Sequence, residues 1–206
     1  MRRRLVVLLS LGALASCGTA AFASTIGSVT TQSLTFWSGS TSIPPSSCSS
    51  TATQDTYIDA QHKNNTHGSD NPLVVIASSK PTYTLVQFTP CAPANAKILS
   101  ATLQLTLTAS PGSVPYGVYP MNAAWSESSS WNTSGADVGT SSITSTTASG
   151  GTVSWSLTSQ VQAIVDGGGN NGWAIGDDSG SAFQSSSFAS REAGSNPPTL
   201  VLSYYP

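Results

Sequence analysis

The chain reads as an all-β domain, a sandwich or a barrel, carrying one short helix near residues 158–166. Three observations lead there. Short apolar runs recur between clusters of turn residues, the spacing of an antiparallel β fold. Ile98 to Thr108 alternates strictly, with Leu103, Leu105 and Leu107 on one face and Thr102, Gln104, Thr106 and Thr108 on the other. Only one stretch, Thr158 to Val165, has helical period.

Taken in order, the first residues predict export. Arg2, Arg3 and Arg4 precede an apolar run from Leu5 to about Ala15, and Ala21-Phe22-Ala23 offers a signal-peptidase site before Ser24. The run is shorter than the roughly 20 residues of a membrane span, so no transmembrane span is expected. Leu14-Ala15-Ser16-Cys17 resembles a lipobox, which leaves a lipid anchor at Cys17 as the alternative to secretion. The expected organisation is therefore a signal peptide over 1–23, a Ser/Thr-rich lead-in over 24–51 and a β domain over 52–206. The lead-in holds one apolar patch (Leu34, Phe36, Trp37) and room for an edge strand near Cys48.

Strands are expected at Thr56–Ile58, Leu73–Ala77, Tyr83–Phe88, Ile98–Thr108, Val114–Met121, Thr152–Leu157, Trp173–Gly176, Ser187–Ser190 and Leu200–Tyr204. Within the helix Val161, Ile164 and Val165 form one face, expected to be buried. Thr158 or Ser159 is placed to cap it and Gly167 to Gly169 to end it. With Cys17 in the signal region, Cys48 and Cys91 remain. In an oxidising compartment a disulfide is expected, against the alternative of two buried thiols.

Without the signal region, four basic residues (Lys63, Lys80, Lys97, Arg191) face nine acidic ones, a formal charge of −5. Such a surface lacks the basic stripe that nucleic acid requires. Its polarity comes from Ser and Thr hydroxyls, which exceed ordinary usage.

The order of short motifs resembles the DNRLRE-domain family. Asp55-Thr56-Tyr57-Ile58, Asn65-Thr66-His67-Gly68 and Leu85-Val86-Gln87-Phe88 open the series. Ile98 to Leu103, Val118-Tyr119, Trp125-Ser126-Glu127 and Trp131-Asn132 continue it. Leu157 to Gln162, Asn170-Asn171-Gly172, Phe188 to Ala193 and Pro198-Thr199-Leu200 close it. The resemblance implies a jelly-roll-like antiparallel β-sandwich of secreted bacterial and archaeal proteins, some of whose relatives bind polysaccharides such as alginate. Where relatives often carry bases along the third strand, this chain has Tyr83 and Gln87, and Thr89 replaces an acid. That departure argues against an anionic polysaccharide.

The candidate carbohydrate-binding residues are Trp125, Glu127, Trp131, Asn132 and Tyr83. Aromatic rings stack on sugars while carboxylates and amides bond hydroxyls. The two tryptophans fit equally a small core beneath a long loop. Tyr57, Tyr116 and Tyr119 extend the aromatic set. Asp59, His62, His67 and Asp70 lie in one loop, read as a solvated turn rather than a zinc site. No cofactor is expected beyond a structural Ca2+, for which Asp55, Asp177 and Asp178 are the candidate ligands. Arg191 and Glu192, adjacent on an expected strand, should point to opposite faces, with Arg191 in a structural ion pair that includes Asp55 or Glu127. No nucleophile elbow appears and neither histidine has a partnered nucleophile motif nearby, so no enzyme is expected. The leading expectation is a non-catalytic extracellular module for a neutral polysaccharide or cell-surface glycan. The alternative is a structural or adhesive domain of the envelope or matrix.

Overall fold

The computed structural model describes residues 43–180 and 184–206. The expected signal peptide, Cys17 and the Leu34, Phe36 and Trp37 patch lie outside the described residues. Eleven strands follow in order: β1 (Ser46–Thr51), β2 (Gln54–Asp59), β3 (Leu73–Ala77), β4 (Thr82–Gln87), β5 (Lys97–Ala109) and β6 (Val114–Pro120), then β7 (Thr144–Ala148), β8 (Gly151–Ser156), β9 (Trp173–Asp177), β10 (Gln184–Phe188) and β11 (Thr199–Tyr205). Among the described residues two α-helices interrupt them, α1 (Trp131–Ser134) and α2 (Thr158–Val165), where the residue pattern implied only the second. The pairings are antiparallel throughout.

The pairings resolve into two layers of a sandwich. One runs β2-β4-β9-β6-β7. In the other, the 13-residue β5 carries β8 on one edge, with β11 and then β10 along its opposite edge. Outside these lie β1 on β11 and β3 on β10. A single pair, Ile76↔Thr82, joins the layers at the β3–β4 turn.

The alternation of β5 does what its sequence dictates: Ala101, Leu103, Leu105 and Leu107 are buried and the intervening residues are not. Val86, Val118 and Ile175 of the opposite layer meet them in one core with Trp155 and Phe188. Each such aliphatic side chain contributes about 1.5–3 kcal/mol by leaving water. Two polar groups cross this core with their bonds made. Trp155 Nε1 donates to the Tyr116 carbonyl at 2.8 Å, and the Tyr116 hydroxyl donates to Ser186 Oγ at 2.7 Å. Tyr116 is therefore a core residue and leaves the candidate aromatic surface.

Helix α2 closes one end of the sandwich. Val161 and Val165 are buried, whereas Ile164, expected with them, is only half-buried against the core. Gln162 does part of the docking instead. Its side chain accepts from Ile98 N at 2.7 Å and donates to Ala96 O at 3.0 Å. Thr158 does not cap the helix, because its hydroxyl accepts from Ala101 N at 3.1 Å and so serves β5. Gly167, at φ +93°, turns the chain out of the helix as expected.

Cys48 and Cys91 are joined, tying edge strand β1 to the turn after β4. Strand β7, Thr-Ser-Thr-Thr-Ala, has no apolar period and was not foreseen. Among the described residues, no helix is long and apolar enough to cross a membrane.

Candidate functional site

Alternation along β4 sends Val86 inward and leaves Tyr83 and Leu85 on the outer face of its layer. On that face Ile58, Leu85 and Ala174 form a second apolar cluster. The segment from Met121 to Val138 lies over it, contributing Met121, Trp125, Trp131 and Val138. Trp125 is 8% exposed and its indole N–H donates to Asn171 O at 2.8 Å. It is the lid of a satellite core and has no face to offer a sugar. Gln54 holds the lid down, with Nε2 donating to Trp125 O at 3.1 Å and to Gln87 Oε1. Gln87 in turn donates to Asn170 O at 2.6 Å, so this amide is spent on the scaffold.

Trp131 behaves differently. It begins α1, half-buried, and its ring lies over Gly135, where an added Cβ would sit 2.8 Å from the indole. Its plane lies 15° from that of Tyr83, with centroids 6.2 Å apart. Tyr119 meets Tyr83 edge-on at 5.6 Å. Between the two tyrosines is Gly176, where a Cβ would come within 2.5 Å of the Tyr83 ring and 3.0 Å of Tyr119. Glycine here lets both rings settle across the strand. The result is a half-buried aromatic shelf of Tyr83, Tyr119 and Trp131.

One end of the shelf opens into a hollow of about 220 Å³ lined by Ala77, Ser78, Ser79, Pro81, Tyr83, Asp177 and Gly180. That volume is below the roughly 300–1,000 Å³ of drug-sized clefts, which suits a shallow contact with a ring rather than an enclosed ligand. The charge beside the shelf is negative. The Tyr119 hydroxyl donates to Asp178 Oδ1, and Asp177 Oδ1 accepts from Ser179 N at 2.7 Å. Burial, then the Asp178 bond, pushes the Tyr119 hydroxyl well above its ordinary pKa; burial and the Asp178 charge raise Tyr83 as well. Both phenols stay protonated, as hydrogen-bond donors.

The other candidates go elsewhere. Asn132 is a link between loops: its N–H donates to Lys63 O at 3.0 Å and its amide to Asn64 Oδ1 at 2.6 Å. Glu127 lies away from the shelf, ion-paired with Arg191, and so does not face a sugar there. Arg191 and Glu192 do not point to opposite faces, because Arg191–Ala193 is a 3₁₀ turn and not a strand. The turn folds the pair together, with Arg191 Nη2 at 2.9 Å from Glu192 Oε1. The three expected calcium ligands are not brought together: Asp177 and Asp178 flank the shelf, while Asp55 is buried beside Arg191. Burial, only partly offset by the Arg191 N–H, pushes Asp55 up to about 7.

In the loop after β2 the histidines pair separately, His62 with Asp59 at 2.6 Å and His67 with Asp70 at 2.7 Å. Tyr57 stacks on His67 at 3.8 Å and donates its hydroxyl to Asp70 at 3.1 Å, so it belongs to this loop and not to the shelf. Gly176 was not foreseen; a glycine inside an otherwise apolar strand was the available signal.

The family model for carbohydrate-binding module family 96 matches residues 46–204. No curated protein matches the chain.

Proposed function

The chain belongs to carbohydrate-binding module family 96, and from that membership we propose a non-catalytic extracellular module that holds a neutral polysaccharide against Tyr83, Tyr119 and Trp131. The observation that carries the reading is the near-parallel pair of Tyr83 and Trp131 rings beside an open hollow. A sugar ring presents an apolar face of C–H groups, and burying that face on an aromatic ring is favourable while its hydroxyls keep polar partners at the edge.

Neutrality follows from charge. Asp177 and Asp178 border the shelf, and the chain beyond residue 23 carries −5. Like charges a few ångströms apart cost about 1 kcal/mol even in water, and a polyuronate repeats the cost along its length. The disulfide and the Arg-rich apolar start support function outside the cytoplasm, secreted or anchored through Cys17.

Affinity electrophoresis on neutral polysaccharides and on alginate tests the proposal. Neutral glycan should retard the protein with Kd between about 1 mM and 1 μM. Trp131→Ala should weaken retardation about tenfold, a loss of about 1.4 kcal/mol, with its fold checked by circular dichroism. Retardation by alginate alone would overturn the charge argument. No retardation by any glycan would favour the structural or adhesive role.

A further inference from the structure

We propose that Asp55, Glu127 and Glu192 form a binding site for one divalent cation, Ca2+ by its donor chemistry, where β2 meets the turn after β10. One carboxylate oxygen of each residue lies within 4.8 Å of the other two. They come from β2, from the segment before α1 and from the 3₁₀ turn, so no local sequence requirement gathers them.

Asp55 supplies the second, independent observation. It is 1% exposed; its Oδ2 accepts from Arg191 N at 2.8 Å, but its Oδ1 is buried with no donor to meet it, beside the Glu192 carboxyl. A buried carboxylate oxygen left unpaired is costly, and a native fold retains one where something else completes it. The hydroxyl of Ser190, next to Arg191, is likewise buried without a partner.

Arg191 does not complete the cluster. Its guanidinium is shared between Glu127 and Glu192, and its Nη1 donates to Thr53 O at 3.0 Å. Once all three carboxylates are ionised, the set with its one guanidinium carries a formal charge of −2, which a divalent cation neutralises as it displaces the proton that burial favours on Asp55. The donors are oxygens with no His or Cys among them, which selects a hard cation. A Ca2+ ion about 2.3–2.6 Å from each ligand bridges oxygens up to about twice that distance apart, and its flexible shell accepts carbonyls and water for the remainder. Mg2+, with shorter bonds and a near-ideal octahedron, fits a set drawn from three separate segments less well. The glycan reading is independent of this site.

Titration calorimetry and thermal melts of the chelator-treated full chain with CaCl2, MgCl2 or ZnCl2 decide it. The expected result is one Ca2+ per chain and a Tm raised by about 5–10 °C at Ca2+ near 100 times Kd. Glu127→Gln and Glu192→Gln should each lose most of that shift. Asp55→Asn should abolish it; if that variant fails to fold, the two glutamine variants carry the test. No heat together with identical melts in EDTA and CaCl2 would overturn the site. So would a Ca2+ shift that persists in the Glu127→Gln/Glu192→Gln double variant.

Discussion

The two apolar clusters share one sheet layer and differ in what covers them. Between the layers, strand faces meet strand faces: Leu103 and Leu105 of β5 share a core with Val118, Trp155 and Ile175. On the outer face of β4 and β9, the cover is an irregular segment held down by individual hydrogen bonds from Gln54, Asn132 and the Trp125 indole. A cover of the first kind is continuous and opens only with global unfolding. One of the second kind can lift by itself, because few bonds retain it. The aromatic shelf stands at the rim of this second cluster, where side chains are held yet still exposed.

The largest test of that difference is Trp155→Ala. Truncating an aromatic side chain in the inter-layer core should cost about 3–5 kcal/mol, measured by urea unfolding. Trp125→Phe comes next: it keeps a ring but strands the Asn171 carbonyl, at about 1–2 kcal/mol. Amide exchange should then rise over residues 121–138 well before it rises in β5. If exchange in β5 rises in step, the two clusters are one cooperative unit and the comparison fails.

The smallest effect concerns the His67–Asp70 pair in the neighbouring loop. The His67 bond holds the Asp70 carboxyl below its usual range. A depressed carboxylate lends stability that is whole above the unfolded pKa of about 3.9 and lost as pH falls through the lower folded value. Asp70→Asn should therefore be slightly less stable than wild type at pH 6, with the gap closing as pH falls below 4. Asp70 is half exposed, so the gap should be small. A gap that widens in acid would mean that the pair opposes folding.

Elements whose burial is periodic were legible. The alternation in β5 and the Val161/Val165 face of α2 stand in the structure much as the residue pattern implies. Strand β7 was hidden, since Thr and Ser on both faces carry no period and its place is set by pairing with β6. Trp125 and Trp131, six positions apart in one polar segment, could not be told apart from sequence. Their fates depend on which lies over Leu85 and Ile58 and which over Gly135. The convergence of Asp55, Glu127 and Glu192 was equally unreadable, because contact among such distant positions is a property of the topology.

The pairing of β1 with β11 has a mechanical consequence. Ser46 lies opposite Tyr204, so the chain enters and leaves the domain side by side along one edge. Tension applied across those two points would peel β1 away one pair at a time, starting at Ser46↔Tyr204. At the third pair, Cys48↔Leu202, the peel meets a covalent bond, and the load passes through Cys91 to the end of β4. The crosslink thus acts as a stop on a zipper, confining extension under force to a few residues of edge strand while the layer that bears the shelf keeps its shape.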